Sequence, residues 1–465
     1  MTQLLLQHFQ STQLSVEARI EKGKALRNKF PRIRQAEYKP SAERRDPVSI
    51  LEEQAESRLA ELIPIRHSRM LASPFAFLRG AAAIMAADLA TSKTTGITVQ
   101  LCGDMHVANF GVFASAERNL VFGINDFDET LPGPWEWDLK RLVASIVASG
   151  KFLGADKQLC QESVFAAVQS YRDRMHKYAL MGNLELWYSN IKENDILDAL
   201  SSSAREGAQK IIAKAHKSTH MQVLGKLTDL VDDKYRLKVN APFIVRQTHT
   251  QQGRPIKEAL GMFLDSYFQS LANDRKNLLK HYRIVDVARK KVGVGSVGTR
   301  CWIIFLTGNH DNDPLFLQLK EAQPSVLENY LSESQFQNEG QRVVEGQRLI
   351  QGAPDIFLGW GELDGRHFYV RQLRDMKGGV EFDPEKVRLK NLPQYAALCG
   401  WALALAHAKS GDAAMIAGYV GNSDELDQAL AHFAFAYDEQ NEKDYEAFKS
   451  AVHSGRLQVA KMEEK

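Results

Sequence analysis

The sequence predicts an α+β protein of two lobes, in which a small antiparallel sheet with one helix packs against a larger helical body. Three observations predict it. At 465 residues the chain is longer than one hydrophobic core usually organises. Apolar residues recur at helical spacing from about residue 138 to 280 and again beyond 390, whereas short β-branched and aromatic runs concentrate between Tyr282 and Leu373. Hydrophobic residues make up 44% and charged residues 25%, a balance that excludes a disordered or fibrous chain.

Charge and cysteine usage narrow the partners. The formal net charge is only +2, so neither nucleic acid nor a membrane surface is expected as the main partner, and any anion site must be local. Cys102, Cys160, Cys301 and Cys399 are far apart and form no C-x-x-C pair, which fits reduced thiols. Met1 to Gln10 has no basic leader, and no apolar run reaches the length of a membrane span. A cytoplasmic protein is the expectation.

Residues 1–69 read as a charged helical extension, with Lys and Arg dense from Glu17 to Arg34 and taken as a solvated helical face in preference to an anion-binding arm. Ser73-Pro74 supplies an N-cap and a first-turn proline for a buried helix running to Ala90. A turn at Thr94 to Gly96 leads into a strand over Ile97 to Leu101. Helical spacing of Leu139, Leu142, Val143 and Ile146 opens a mainly helical stretch, so residues 70–280 form the expected large lobe. Residues 281–380 form the expected small lobe, with strands at Ile284 to Ala288, Cys301 to Leu306, Leu315 to Leu319 and Phe368 to Leu373. One helix, Gln335 to Gln351, interrupts them. Residues 381–465 return to helix and complete the large lobe, with Leu426, Leu430, Phe433 and Tyr437 on one face.

The chemistry concentrates in two segments. In the first, Gly103-Asp104-Met105-His106-Val107-Ala108-Asn109 precedes a hairpin and then Asn125-Asp126-Phe127-Asp128. Phosphoryl transfer to a hydroxyl needs one carboxylate to orient the acceptor and take its proton, and an amide oxygen with a second carboxylate to hold Mg²⁺ on the nucleotide phosphates. Asp104 is the candidate base, and Asn109 and Asp126 are the candidate metal ligands. The Asp-to-Asn spacing of five is that of the kinase catalytic loop, and Asp126-Phe127-Asp128 stands where Asp-Phe-Gly stands.

Together with Pro134-Trp135-Glu136-Trp137-Asp138-Leu139, these residues resemble the signature of aminoglycoside and choline phosphotransferases, which carry a Gly-Asp-x-His-x-x-Asn loop, an Ile-Asp-Phe strand end and a Pro-x-x-Asp-Leu helix start. The resemblance implies a bilobal protein-kinase-like fold, ATP and Mg²⁺ as cofactors and a small-molecule hydroxyl as acceptor. It makes Asp138 an anchor for the catalytic loop. The whole chain also resembles a bacterial family, domain of unknown function 2252, through Ser73-Pro74-Phe75, the Gly103-Asp104 loop and Ala406-His407-Ala408.

In the second segment, Gly293, Gly295, Ser296 and Gly298 fall between two strand patterns. A dinucleotide fingerprint would open a helix, whereas Cys301 to Leu306 is a strand, so the glycines read as a phosphate-covering hairpin tip. Lys320, ending the next apolar strand, is the candidate phosphate lysine, with Glu345 as its expected partner and Glu328 or Glu339 as substitutes. These elements follow the catalytic loop, whereas kinases place them before it, so the lobe order is read as permuted, with Arg371 to Gly379 as hinge.

Other classes remain open. Asp104, His106 and Gly308-Asn309-His310-Asp311 resemble fragments of a dinuclear metallophosphoesterase, though the Gly-Asp-x-x-Asp element between them is missing. His106 reads rather as a loop-orienting histidine. His407 and Asp412 form a polar cluster at a helix end near Gly411, which capping partly explains and a role at the site would also fit. A nucleotide-binding pseudokinase, or nucleotidyl transfer on the same residues, would use the same constellation.

Overall fold

Period-two alternation decides how the strands of the second half assemble. In the computed structural model, which describes residues 9–10, 14–218, 220–241, 244–250, 252–290, 297–373 and 376–460, six strands pair antiparallel. Their order is β12 (Gly359–Leu363), β13 (Arg366–Gln372), β11 (Pro314–Ala322), β10 (Cys301–Thr307), β9 (Arg283–Lys290) and β8 (Ile244–Val245). Ile304 stands opposite Leu317 and Phe305 opposite Phe316. Successive side chains therefore leave opposite faces. Ile304, Leu306, Leu317 and Leu319 pack with Phe263 and Tyr267 of the Ile256–Ser270 helix. Ile303, Phe305 and Phe316 pack with Val223 and Leu224 of the His220–Leu227 helix. Because both faces are covered, β11 is buried along its whole length.

The face that carries Phe316 continues as Gln318 and Lys320, which stand opposite Arg371 and Tyr369 of β13. This row of polar side chains, at the end of a strand otherwise apolar, looks onto the helical body. There the largest core gathers the Trp135–Leu153, Lys157–Ala179, Leu392–Ser410, Ala413–Val420 and Glu425–His453 helices. Against it lie two small pairings, β1 (Thr98–Leu101) with β4 (Leu131–Pro134), and the hairpin β2 (Phe110–Ala114) and β3 (Leu120–Ile124).

Three expectations need correction. The Ile256–Ser270 and Asn273–Leu279 helices, placed by the sequence reading with the large lobe, bury Phe263, Tyr267, Leu271 and Leu279 on the sheet, so the elements that pack with the sheet begin well before residue 281. Helical spacing reveals an element but not which core it covers. The stretch read as helical also holds short strands, β5 (Ile191–Lys192), β6 (Thr228–Val231) and β7 (Lys234–Leu237), besides β8. The basic N-terminal arm is in part the solvated face expected, with Lys22, Lys24, Lys29 and Arg34 exposed, but Arg27 and Arg32 turn inward. Arg27 donates to the Gly418 and Tyr419 carbonyls and Arg32 to Val420, so both satisfy the end of the Ala413–Val420 helix, where unpaired carbonyls favour cations. The crossing is close enough that a Cβ on Gly23 would meet the Met415 carbonyl oxygen at 2.0 Å.

Among the described residues no helix is long and apolar enough to cross a membrane. One internal cation carries a pH signature. Lys140 is buried, with Nζ 4.7 Å from the Phe433 ring centroid, and burial lowers it from 10.5 to about 8 against the pull of Glu136. Between those values the unfolded chain holds a proton that the folded one has shed, so stability rises with pH across that window. Lys140→Met should therefore stabilise the protein below pH 8 by about 1–3 kcal/mol, and the gain should fade as pH approaches 10.5. Urea unfolding at the two ends of the window checks this, and an equal gain at both would contradict it.

Candidate functional site

The turn after β1 is shaped by one glycine and one carboxylate. Gly103 has φ +85°, and a Cβ there would meet the Glu129 carbonyl oxygen at 2.4 Å, so only glycine fits. Asp138, in the first turn of the Trp135–Leu153 helix, accepts from Cys102 N at 2.7 Å and Gly103 N at 3.0 Å. The anchoring expected of Asp138 is thus the geometry observed. Behind it, His407 Nε2 lies 3.5 Å from Asp138 and its Nδ1 2.8 Å from the Tyr171 hydroxyl. His407 is a fully buried support and does not line the cleft. Further along, Ser145 accepts from Val107 N at 3.0 Å and Tyr395 donates to Val107 O at 2.7 Å.

Asn109 Nδ2 donates to the Asp104 carbonyl at 2.6 Å, and its Oδ1 accepts no hydrogen bond from any described residue. Asp104 Oδ1 is gripped by Arg141 through Nε at 2.8 Å and through Nη2, while Oδ2 lies 3.7 Å from His106 Nε2. Arg141 was not foreseen. The signal for it is spacing, since Asp138 and Arg141 are three apart on one helix and so share the face that meets the loop. Burial pushes His106 well below its ordinary value, and the charges of Arg79 and Arg141 add to that, so its imidazole is neutral.

Across the cleft, Lys320 Nζ donates to Asp128 Oδ2 at 2.8 Å and lies 3.9 Å from Asp126 Oδ1. Tyr369 donates to Asp128 Oδ1 at 2.6 Å. Asp126 Oδ1 is buried without a hydrogen-bond partner, while part of the side chain opens to the cleft. Burial, with Asp128 beside it, raises the Asp126 carboxyl above its usual range. Lys320 is buried too, which alone would discharge it, but facing Asp126 and Asp128 lift it above the ordinary lysine value.

Glu345 is not the partner of Lys320. It is half-buried and pairs with Arg348 at 3.1 Å along the Glu339–Ile350 helix. The face that this helix turns inward presents Arg342, which donates to the Asp128 and Thr130 carbonyls and is itself held by Glu339 at 2.7 Å and Glu328 at 3.6 Å. The role foreseen for a helix glutamate is taken by Asp128, a residue of the loop itself.

Gly293, Gly295 and Ser296 lie outside the described residues. Gly298, at φ +102°, is placed, but not at the cleft: its carbonyl accepts from Leu59 N at 2.8 Å and Arg58 packs over it. Asp412 also falls away from the site, since it caps the Ala413–Val420 helix through Met415 N at 3.0 Å and pairs with Arg19 at 3.1 Å. Gly411 caps the Leu392–Ser410 helix as foreseen, its N–H donating to the His407 carbonyl at 2.9 Å, but in extended backbone at φ −131° and not in the left-handed form.

Asp104, His106, Asn109, Asp126 and Lys320 all line one cavity of about 750 Å³. Arg371, two residues beyond Tyr369 on the same face of β13, reaches the cavity, donating to Gln318 Oε1 at 3.0 Å and to the Asn125 carbonyl at 3.4 Å. Leu315, Ile356, Phe357 and Leu373 give part of the wall an apolar character. Arginines and lysines outnumber carboxylates around it. Among the described residues, no three His, Cys, Asp or Glu side chains cluster as a metal cage.

The model of a family described as an uncharacterized protein conserved in bacteria, domain of unknown function 2252, matches residues 58–451, and the chain belongs to that family. No curated protein and no solved structure matches it.

The dependence of the loop on Asp138 is open to test. Asp138→Asn turns an NH₂ group toward one of two backbone donors that a carboxylate satisfies together, and should cost about 1–3 kcal/mol. It should also speed amide exchange at Gly103. Unchanged stability and exchange would show that the loop holds its shape without this anchor.

Proposed function

We propose that the chain transfers a phosphoryl group from Mg·ATP to the hydroxyl of a small molecule. The observation that carries this reading is the meeting of Lys320 with Asp126, 3.9 Å apart, in the same cavity as Asp104 and Asn109. Phosphoryl transfer from a nucleotide needs a phosphate-binding cation and cation-binding oxygens on opposite sides of one cleft, and these come from the sheet and the helical body respectively.

The residues present fit the cation as well as the phosphates. Asn109 Oδ1 and the unsatisfied Asp126 Oδ1 are hard oxygen ligands of the kind that Mg²⁺ takes alongside phosphate oxygens. Bound there, the cation would offset the charge developing on the phosphates. Lys320 and Arg371 supply fixed positive charge from the sheet side, and the apolar wall by Phe357 and Leu373 suits a purine. Asp104 Oδ2 would accept the hydrogen of the acceptor hydroxyl, whose oxygen forms the new bond to the γ-phosphorus as the bond to the β–γ bridging oxygen breaks and ADP leaves. Arg141 holds Asp104 in place through Oδ1.

That same pairing supports a second reading. A carboxylate with one oxygen already taken by a guanidinium is an arrangement that a nucleotide-binding module without turnover would tolerate. Nucleotidyl transfer would use the same groups with ATP reversed. A dinuclear metallophosphoesterase is less well supported, because His310 belongs to the β10–β11 connection, where its carbonyl accepts from Thr307.

Two variants separate these. Asp104→Ala should lower ATP consumption with a hydroxyl acceptor by about 10²–10⁴-fold and leave nucleotide affinity nearly unchanged. Asp126→Asn should weaken Mg·ADP binding in calorimetry. Metal-dependent phosphodiester hydrolysis without nucleotide, lost with Asp104→Ala, would overturn the phosphotransferase reading.

A further inference from the structure

The cation-rich wall is not all accounted for by a nucleotide. Arg79, in the Pro74–Gly80 helix, lines the cavity beside Asp104 and His106. Its guanidinium makes no hydrogen bond or ion pair with any described residue, and its Nε is buried without a partner. Its one marked contact is with the Phe75 ring, 5.7 Å from the centroid. Burial lowers it from its ordinary value, and Asp104 is the charge that opposes this. That carboxylate is already neutralised by Arg141, so the positive charge of Arg79 is surplus. Leaving a desolvated guanidinium unpaired is costly unless something else completes it.

The surroundings are cationic as well. Arg69, from the Ile63–Met70 helix, lines the same cavity, and Arg66 donates to the Gly80 carbonyl at 2.7 Å, fixing the end of the Arg79 helix. These groups arise from the helical body next to Asp104, whereas Lys320 and Arg371 arise from the sheet.

We propose that Arg79, with Arg69, binds an oxyanion of the acceptor, so that the second substrate is a hydroxy compound bearing a carboxylate or phosphate. The term acceptor rests on the phosphotransferase reading, but the anion site itself does not. Guanidinium suits either oxyanion through paired N–H donors. A cationic alcohol, as choline and the aminoglycosides are, would meet like charge at this place, so this family differs in substrate class from the enzymes that its loop resembles.

The test uses glycerate, glycerol 3-phosphate, glycerol and choline as probes on the full chain, followed by thermal shift and calorimetry with and without Mg·ADP. At least one anionic probe should bind in both conditions, and glycerol and choline should not. Arg79→Gln, which removes no native hydrogen bond, should lose about tenfold or more in affinity for that probe while Mg·ADP affinity stays the same. Arg79→Lys, which keeps the charge, should lose less. Binding of choline or glycerol in preference to the anions, no binding by either anion, or equal anion affinity in Arg79→Gln would overturn the proposal. So would a loss of Mg·ADP affinity without loss of anion affinity, which would assign Arg79 to the nucleotide. A wild type that binds the anions but no nucleotide would defeat the phosphotransferase reading alone.

Discussion

A single ammonium group, Lys320 Nζ, ties the sheet to the helical body across 192 residues of chain, at 2.8 Å from Asp128. It is buried, and burying an ammonium costs several kcal/mol unless carboxylates face it. Asp126 and Asp128 provide that compensation, and Tyr369 completes Asp128. An apolar packing of similar volume would hold two lobes together at least as well. The charges are therefore better understood through what they offer a ligand. Asp128 is satisfied by protein donors, whereas Asp126 keeps a buried oxygen unsatisfied beside a lysine, which is an arrangement that a cation and a phosphate would together complete.

Rigidity on the other side of the cleft has a different source. The loop from Gly103 to Asn109 is held at three residues by groups from helices behind it: Asp138 at Gly103, Arg141 at Asp104, Ser145 and Tyr395 at Val107. Asp138, Arg141 and Ser145 lie on one face of one helix, so a single rigid element sets the positions of Gly103, Asp104 and Val107. In the proposed phosphotransferase, donors and acceptors fixed in this way would avoid reorganisation at the moment of reaction. The hairpin that carries Asp126 is pinned in turn by Arg342, whose guanidinium spans the Asp128, Thr130 and Gln323 carbonyls.

Local pattern carried the sequence reading furthest. Alternation located β10 and β11 and put Lys320 at the end of a buried strand, and the loop spacing picked out Asp104, Asn109 and Asp126, which share one cavity. Asp138 was legible because a helix start has a recognisable form. What depended on which side of an element faces the cleft was not legible. Arg342 and Glu345 are one turn apart on their helix, yet Arg342 reaches the Asp128 and Thr130 carbonyls while the half-buried Glu345 turns to Arg348, a difference that composition cannot rank. Arg79 and Arg141 sit among helix formers where a basic residue ordinarily points to water. His407 and Asp412 were grouped by proximity in sequence, yet one supports Asp138 and the other caps a helix. Within the N-terminal basic run, Arg27 and Arg32 were misread because the carbonyls that they satisfy lie some 390 residues away in the chain.

The most direct measurement is anomalous diffraction from crystals grown with Mn²⁺ and a non-hydrolysable ATP analogue. The account requires a manganese peak within about 2.1 Å of Asn109 Oδ1 and an Asp126 carboxylate oxygen, with nucleotide phosphates reaching Lys320. Manganese bound instead between Asp104 and His106, or a nucleotide seated outside this cleft, would contradict it.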